Sequence, residues 1–164
     1  REYLERESHY LWGKRYLLTV VETDMKPFVE VKHSKLLLHV RPGTIDEKKE
    51  SIVAQWYREQ VKAATAPLLA RWEPIIGISV KKFYVQQMKT KWGSCNSSAG
   101  TIRLNTELAK KPREHLEYVV VHEMTHLLES THNAHFIALM DKFMPSWQHR
   151  RDQLSQLPVR HEEW

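Results

Sequence analysis

The chain has 164 residues, 41% hydrophobic and 27% charged, the balance of an ordinary globular protein with a real core. Its 25 basic and 20 acidic residues leave a formal charge of +5, a mild bias toward anionic partners that interspersed acids temper. No run is long and apolar enough to span a membrane, no secretory signal is visible, and a single cysteine, Cys95, excludes an internal disulfide or a cysteine-based zinc cluster.

One cysteine fits a reducing, cytoplasmic setting. The chain opens at Arg1 rather than Met, so further native residues are expected upstream. Short strands are expected at Tyr10–Trp12, Arg15–Glu22, Phe28–Lys32 and Lys35–Val40, where β-branched and aromatic residues gather between Gly13-Lys14, Met25-Lys26-Pro27 and His33-Ser34. Arg41-Pro42-Gly43 breaks that pattern. A long helix then starts at Thr44 or Asp46, with Ile52, Trp56, Leu68, Leu69 and Trp72 on its apolar side, and Pro67 is expected to kink or interrupt it. Ile78–Met88 reads as a further strand. Trp92–Asn105 reads as a loop and hairpin with its tip at residues 96–100.

Pro112 precedes a segment, Arg113–Leu128, that is apolar almost all round and therefore belongs in a core. Inside it stands His122-Glu123-Met124-Thr125-His126, an H-E-x-x-H run. Four residues make about one helical turn, so the two imidazoles share a face and can grip one ion. Glu123 then lies beside the ion's open position as a general base. Burying these groups without a partner would be costly, and a metal ion supplies the partner. A hydrolytic zinc site takes a third protein ligand. His132 and His135 both follow closely; His132, at the turn, is better placed, and His135 remains open as ligand, supporting partner or surface residue. Two helical segments, split by Pro145, finish the chain, and residues beyond Leu154 read as a frayed tail.

Met88–Cys95 is a second constellation. Lys89 and Lys91 are candidates for holding an anionic group of a substrate, Trp92 for one wall of the site, and Asn105 for stabilising an oxyanion. A structural turn, with Trp92 in the core and Gly93 taking an unusual backbone angle, is the competing reading. An extended peptide adding to a strand edge here is a third element of the picture. Lys81, Lys82, Phe83, Tyr84, Lys89, Lys91 and Trp92 interleave charge with aromatics, a pattern that suits single-stranded nucleic acid, although strand alternation separates many of them onto opposite faces.

Taken in order, Lys89–Cys95, Ile102–Asn105, Tyr118–His126, His132 with Phe136, and Met144-Pro145-Ser146-Trp147 resemble the YgjP-like metallopeptidase family, relatives of the SprT-like and WLM zinc-protease domains. The resemblance covers most of the chain and is strongest from Met88 to Trp147. It implies zinc held by His122, His126 and His132, with Glu123 as general base, and it favours His132 over His135. Lys91 stands where the family often has Arg, which keeps the charge and loses bidentate geometry.

The expectation is an α+β chain: a β-rich N-terminal part (1–43), then a small sheet packed on helices around a zincin-like H-E-x-x-H helix (44–164), all one domain. The expected activity is a zinc-dependent metallohydrolase of gluzincin-like or minimal zincin type, acting on peptide bonds through a water activated by Glu123. Three rivals are a nucleoside triphosphate pyrophosphohydrolase on the same metal, with Lys89 and Lys91 on phosphate, a DNA-associated protease, and a non-enzymatic binding module stabilised by the metal, against which Glu123 argues because a structural site needs no base. Peptide or protein is the expected partner, nucleotide a second and nucleic acid a third; no membrane partner is expected.

Overall fold

Apolar residues alternating with period two dictate the first sheet. The computed structural model describes residues 7–156, so the expected tail lies largely outside the described residues. Four strands, β1 (Ser8–Leu11), β2 (Lys14–Glu22), β3 (Phe28–Lys32) and β4 (Lys35–Val40), assemble in the order β1-β2-β4-β3. β1 and β3 run antiparallel to their neighbours, whereas β2 and β4 pair in parallel with Leu18 opposite Leu36. Tyr16 and Leu18 of β2 and Leu36, Leu38 and Val40 of β4 all face the core. Burying each leucine contributes about 1.5–3 kcal/mol.

Helix α1 spans Asp46–Ile76 without a break, although Pro67 and Pro74 lie inside it. The expected interruption at Pro67 is absent: the helix remains continuous through that position. Its buried row is Val53, Tyr57, Val61, Thr65, Leu69, Trp72 and Ile76, at helical spacing. Ile52, Trp56 and Leu68 flank this row half-buried. The row includes a tyrosine and a threonine, so a purely apolar pattern displaces the face. Gly77, with φ of 82°, ends the helix and gives its N–H to the Glu73 carbonyl.

A second sheet follows, of β5 (Lys82–Gln86), β6 (Gly93–Asn96) and β7 (Thr101–Asn105) in the order β5-β7-β6. β5 is shorter than the expected 78–88 strand, while the expected hairpin is present as β6 antiparallel to β7, with residues 97–100 between them. A 3-10 helix at Thr106–Lys110, which local pattern did not suggest, leads to α2 (Arg113–His126); α3 (Ala134–Phe143) and α4 (Trp147–Ser155) complete the fold. The architecture is thus mixed α+β, with α1 between the two sheets in chain order and α2–α4 after them.

Polar side chains lock α1 in place. Tyr57 donates its hydroxyl to the Tyr10 carbonyl, Arg58 Nε to the Val85 carbonyl, and Trp72 Nε1 to Glu117 of α2 at 2.8 Å. No helix of the described residues is long and apolar enough to cross a membrane.

Candidate metal centre

Helix α2 is buried along its whole C-terminal half. Val119, Val120, Val121 and Met124 are fully enclosed, and His122, Glu123 and His126 are only 2%, 2% and 7% exposed among them. The helix therefore carries three ionisable groups into an apolar surround, a placement that is costly unless they are partnered. α2 ends at His126, and the chain turns back through Leu127–Asn133. Asn133 caps α3 by accepting the Phe136 N–H at 2.9 Å. That turn delivers His132 to the face of α2.

His122, His126 and His132 each offer a ring nitrogen, and these atoms lie within 4.8 Å of one another. A tetrahedral zinc ion with nitrogen ligands at about 2.0–2.1 Å needs them at mutual spacings of this order. The contact between His126 Nε2 and His132 Nε2 is 2.8 Å. His126 Nδ1 stands 3.0 Å from the Glu129 carbonyl, which accepts its proton and leaves Nε2 as a bare lone pair. Burial pushes the His126 imidazole below its ordinary pKa, and the neighbouring His122 pushes it further the same way. A neutral His126 thus aims a lone pair at a second imidazole nitrogen, and a cation between them satisfies both. The donor set fits a divalent ion of zinc's class.

Phe136 stacks on His126 with centroids 4.2 Å apart and meets His122 and His132 edge-on. It walls the cluster from the α3 side. On α2 itself, the Glu123 carboxylate lies 3.0 Å from His122 Nδ1. β6 presses on this helix from the other side. A methyl group at Gly93 would come within 2.8 Å of Val119 Cγ1 and 3.1 Å of Glu123 Cγ. Gly93 is thus required for close approach; its φ is not among the positive values, so the unusual backbone angle expected there is replaced by a packing reason.

The other residues singled out from sequence divide cleanly. Lys89 and Lys91 are exposed on the loop that enters β6. Trp92 and Asn105 are both 0% exposed: Trp92 lies in the core, as the structural-turn reading expects, and the Asn105 side chain is enclosed. Asn105 Nδ2 donates to the Met88 and Lys91 carbonyls at 2.9 and 2.8 Å, and its Oδ1 accepts from the Glu107 N–H; it staples the Lys89–Lys91 loop to β7. His135 stands outside the cluster, solvent-exposed, with Nδ1 3.1 Å from the Glu129 carboxylate. That contact and Asn133 hold the Glu129 carboxyl below its usual range. Asp141 accepts from Trp147 Nε1 at 2.7 Å and is occupied there. The residue that orients His126 is Glu129, through its main chain rather than its carboxylate. Sequence reasoning left the acid that orients a ligand histidine open between Glu129 and Asp141, and it could not point to a main-chain carbonyl because any residue supplies one. It missed Phe136 as a ring wall because helical spacing already accounted for it as core.

A model of the YgjP-like metallopeptidase domain matches residues 1–157. Among solved structures, the metallopeptidase zymogen of Pyrococcus abyssi abylysin is similar at 22% identity and a TM-score of 0.53, covering 58% of this chain and 95% of that one. The metallopeptidase zymogen of Methanocaldococcus jannaschii jannalysin is similar at 20% identity and a TM-score of 0.42, covering 61% of this chain and 94% of that one. No curated protein matches. The abylysin likeness shows a shared fold, and the family match spans nearly the whole chain: this protein belongs to the YgjP-like metallopeptidase family of metal-dependent hydrolases.

Proposed function

We propose that the chain is a zinc peptidase in which His122, His126 and His132 hold the ion and Glu123 is the general base. The observation that carries this reading is the meeting of three imidazole nitrogens within 4.8 Å beside a buried carboxylate. When bound, zinc lowers the pKa of a coordinated water and polarises a carbonyl. Glu123 takes a proton from the attacking water and delivers it to the departing amine. The Glu129 carbonyl fixes the His126 tautomer so that Nε2 faces the ion, and Phe136 keeps the three rings from rotating away.

β6 lies at one side of its sheet among the described residues and packs on α2 at Glu123. The substrate would be an extended peptide that passes the metal cluster and is held by main-chain hydrogen bonds. The family match favours this substrate over a nucleotide. The reading takes residues 1–164 as one catalytic domain, strand-rich over 1–43 and zincin-like over 44–164, and keeps the cytoplasmic setting that the lone Cys95 suggests.

The test is turnover of quenched-fluorescence peptide pools by zinc-loaded wild type and Glu123→Gln. Cleavage that falls about 10²–10⁴-fold in the variant while zinc stays bound supports the assignment. Equal turnover by both proteins removes Glu123 from the mechanism.

A further inference from the structure

Trp12 occupies a position that its side chain does not favour. It and Gly13 form the two-residue turn between β1 and β2, with φ of 50° and 82°. Two left-handed residues in such a turn ordinarily call for Asn-Gly, and a bulky side chain at positive φ is an outlier. The turn is pinned all the same. The Trp12 N–H donates to the Ala109 carbonyl at 2.7 Å and the Gly13 N–H to the Lys110 carbonyl at 3.2 Å. Strain held in place by its surroundings directs attention to what the side chain does. The indole is half-buried and carries the Arg113 guanidinium 4.5 Å from its ring centroid.

Both residues line a cavity of about 360 Å³ between the β1–β2 turn, α1 and the first turn of α2. Small-molecule sites span roughly 300–1,000 Å³. Arg113 begins α2 and His126 ends it, so the cavity lies at the end of the helix away from the metal cluster, about 13 Å of axial rise from His122.

Three polar groups border the cavity. Arg113 is exposed and, among the described residues, pairs with no carboxylate. Stacking uses the face of its guanidinium and leaves the N–H edge open, a fork that matches one carboxylate bidentately. The Gln60 amide on α1 is half-buried and enters no hydrogen bond among the described residues. The third group arises from Pro67, through which α1 runs unbroken. Proline has no N–H to return to the carbonyl four residues earlier, which is that of Ala63. Ala63 is exposed on the cavity wall, so its oxygen is open to an outside donor. Leu68 and Leu116 supply apolar walls.

A ligand that suits these groups has one carboxylate, a hydrogen-bond donor beside it and a small aliphatic body. The single lining cation balances a monoanion, and no acid among the described lining residues repels one. We propose that this cavity binds the carboxylate end of an aliphatic amino-acid unit, either a free amino acid or the last residue of a peptide. Arg113 holds the carboxylate, and Gln60 and the Ala63 carbonyl take the adjoining amine or amide. The site stands apart from the metal centre and does not depend on whether peptides are cleaved there.

The test titrates the purified protein, with zinc added, with N-acetyl-leucine, N-acetyl-leucinamide and leucine, and reads the Trp12 indole N–H signal by NMR. Saturating acetohydroxamate keeps the probes off the zinc. The expected result is saturable shifts with the acids and roughly tenfold weaker binding of the amide, which lacks the charge-assisted contact. Arg113→Gln should erase the difference between acid and amide, and Arg113→Lys should keep part of it. Ala63→Leu fills the cavity and leaves its charge in place, so it should abolish binding of both acids; thermal melts confirm that each variant is folded. Tighter binding of N-acetyl-leucine than of leucine assigns the site to peptide ends, and the reverse assigns it to free amino acids; each supports the proposal. Equal binding of N-acetyl-leucine and its amide overturns it, as do the absence of saturable shifts and an acid preference that survives Arg113→Gln.

Discussion

His126 Nε2 and His132 Nε2 stand 2.8 Å apart, although one nitrogen belongs to the last residue of α2 and the other to the loop beyond it. With His126 Nδ1 committed to the Glu129 carbonyl, the pair is a ready-made bidentate donor that His122 completes. His135 is held off by its contact with the Glu129 carboxylate. Elemental analysis should therefore find about one zinc per wild-type chain, as in a three-ligand hydrolytic site. His132→Ala should lose it and His135→Ala should keep it. Zinc retained by His132→Ala would remove that residue from the centre.

Gly93 and Glu123 are coupled by lack of space. A methyl at position 93 meets Val119 Cγ1 at 2.8 Å, the Arg103 carbonyl at 3.0 Å and Glu123 Cγ at 3.1 Å. Two of these contacts are to a core side chain and to backbone, so α2 and β6 must separate. Gly93→Ala should cost about 1–3 kcal/mol in denaturant unfolding, the usual range for overpacking. It should also lower turnover by displacing Glu123. Wild-type stability in this variant would show that the two elements slide freely.

His115 gives the fold a dependence on pH. It is buried between α2 and α4, with Nε2 3.1 Å from Gln153 Oε1, which also accepts from Arg150. Burial pushes the imidazole below its ordinary pKa and Arg150 adds to this, while the Pro112 carbonyl, Gln153 and Glu114 pull the other way. The unfolded chain thus binds the proton more readily than the folded one. The stabilisation is complete above about pH 6.5 and is lost as pH falls through the folded value. Thermal melts of zinc-loaded protein between neutral and mildly acidic pH should show a falling midpoint. His115→Gln should flatten that slope; an unchanged slope would assign it to other groups.

Cys95 sits half-buried on β6, and its thiol is pushed up to about 11 by burial first and by the Glu123 carboxylate second, against the pull of Lys91. A thiol in that state is a poor nucleophile at neutral pH. Alkylation by iodoacetamide at pH 7.5 should be slower than for a free cysteine, and Cys95→Ala should retain peptide turnover. Rapid labelling would show that the site is more open than the packing indicates.

Local periodicity made much of this legible before folding. The H-E-x-x-H spacing puts His122 and His126 on one face because a helical turn is a local property. Short-range alternation marked β2, β3 and β4 within a residue or so, and a six-residue step from His126 was short enough to nominate His132. Tertiary structure decided the rest, because it depends on which distant segments meet. The parallel pairing of β2 with β4, the burial of Trp92 and Asn105, the passage of α1 through Pro67, and the seating of Phe136 on His126 each join residues or surfaces that no local pattern relates. The same holds for Gly93, whose small size matters only because Val119 and Glu123 arrive against it from another element.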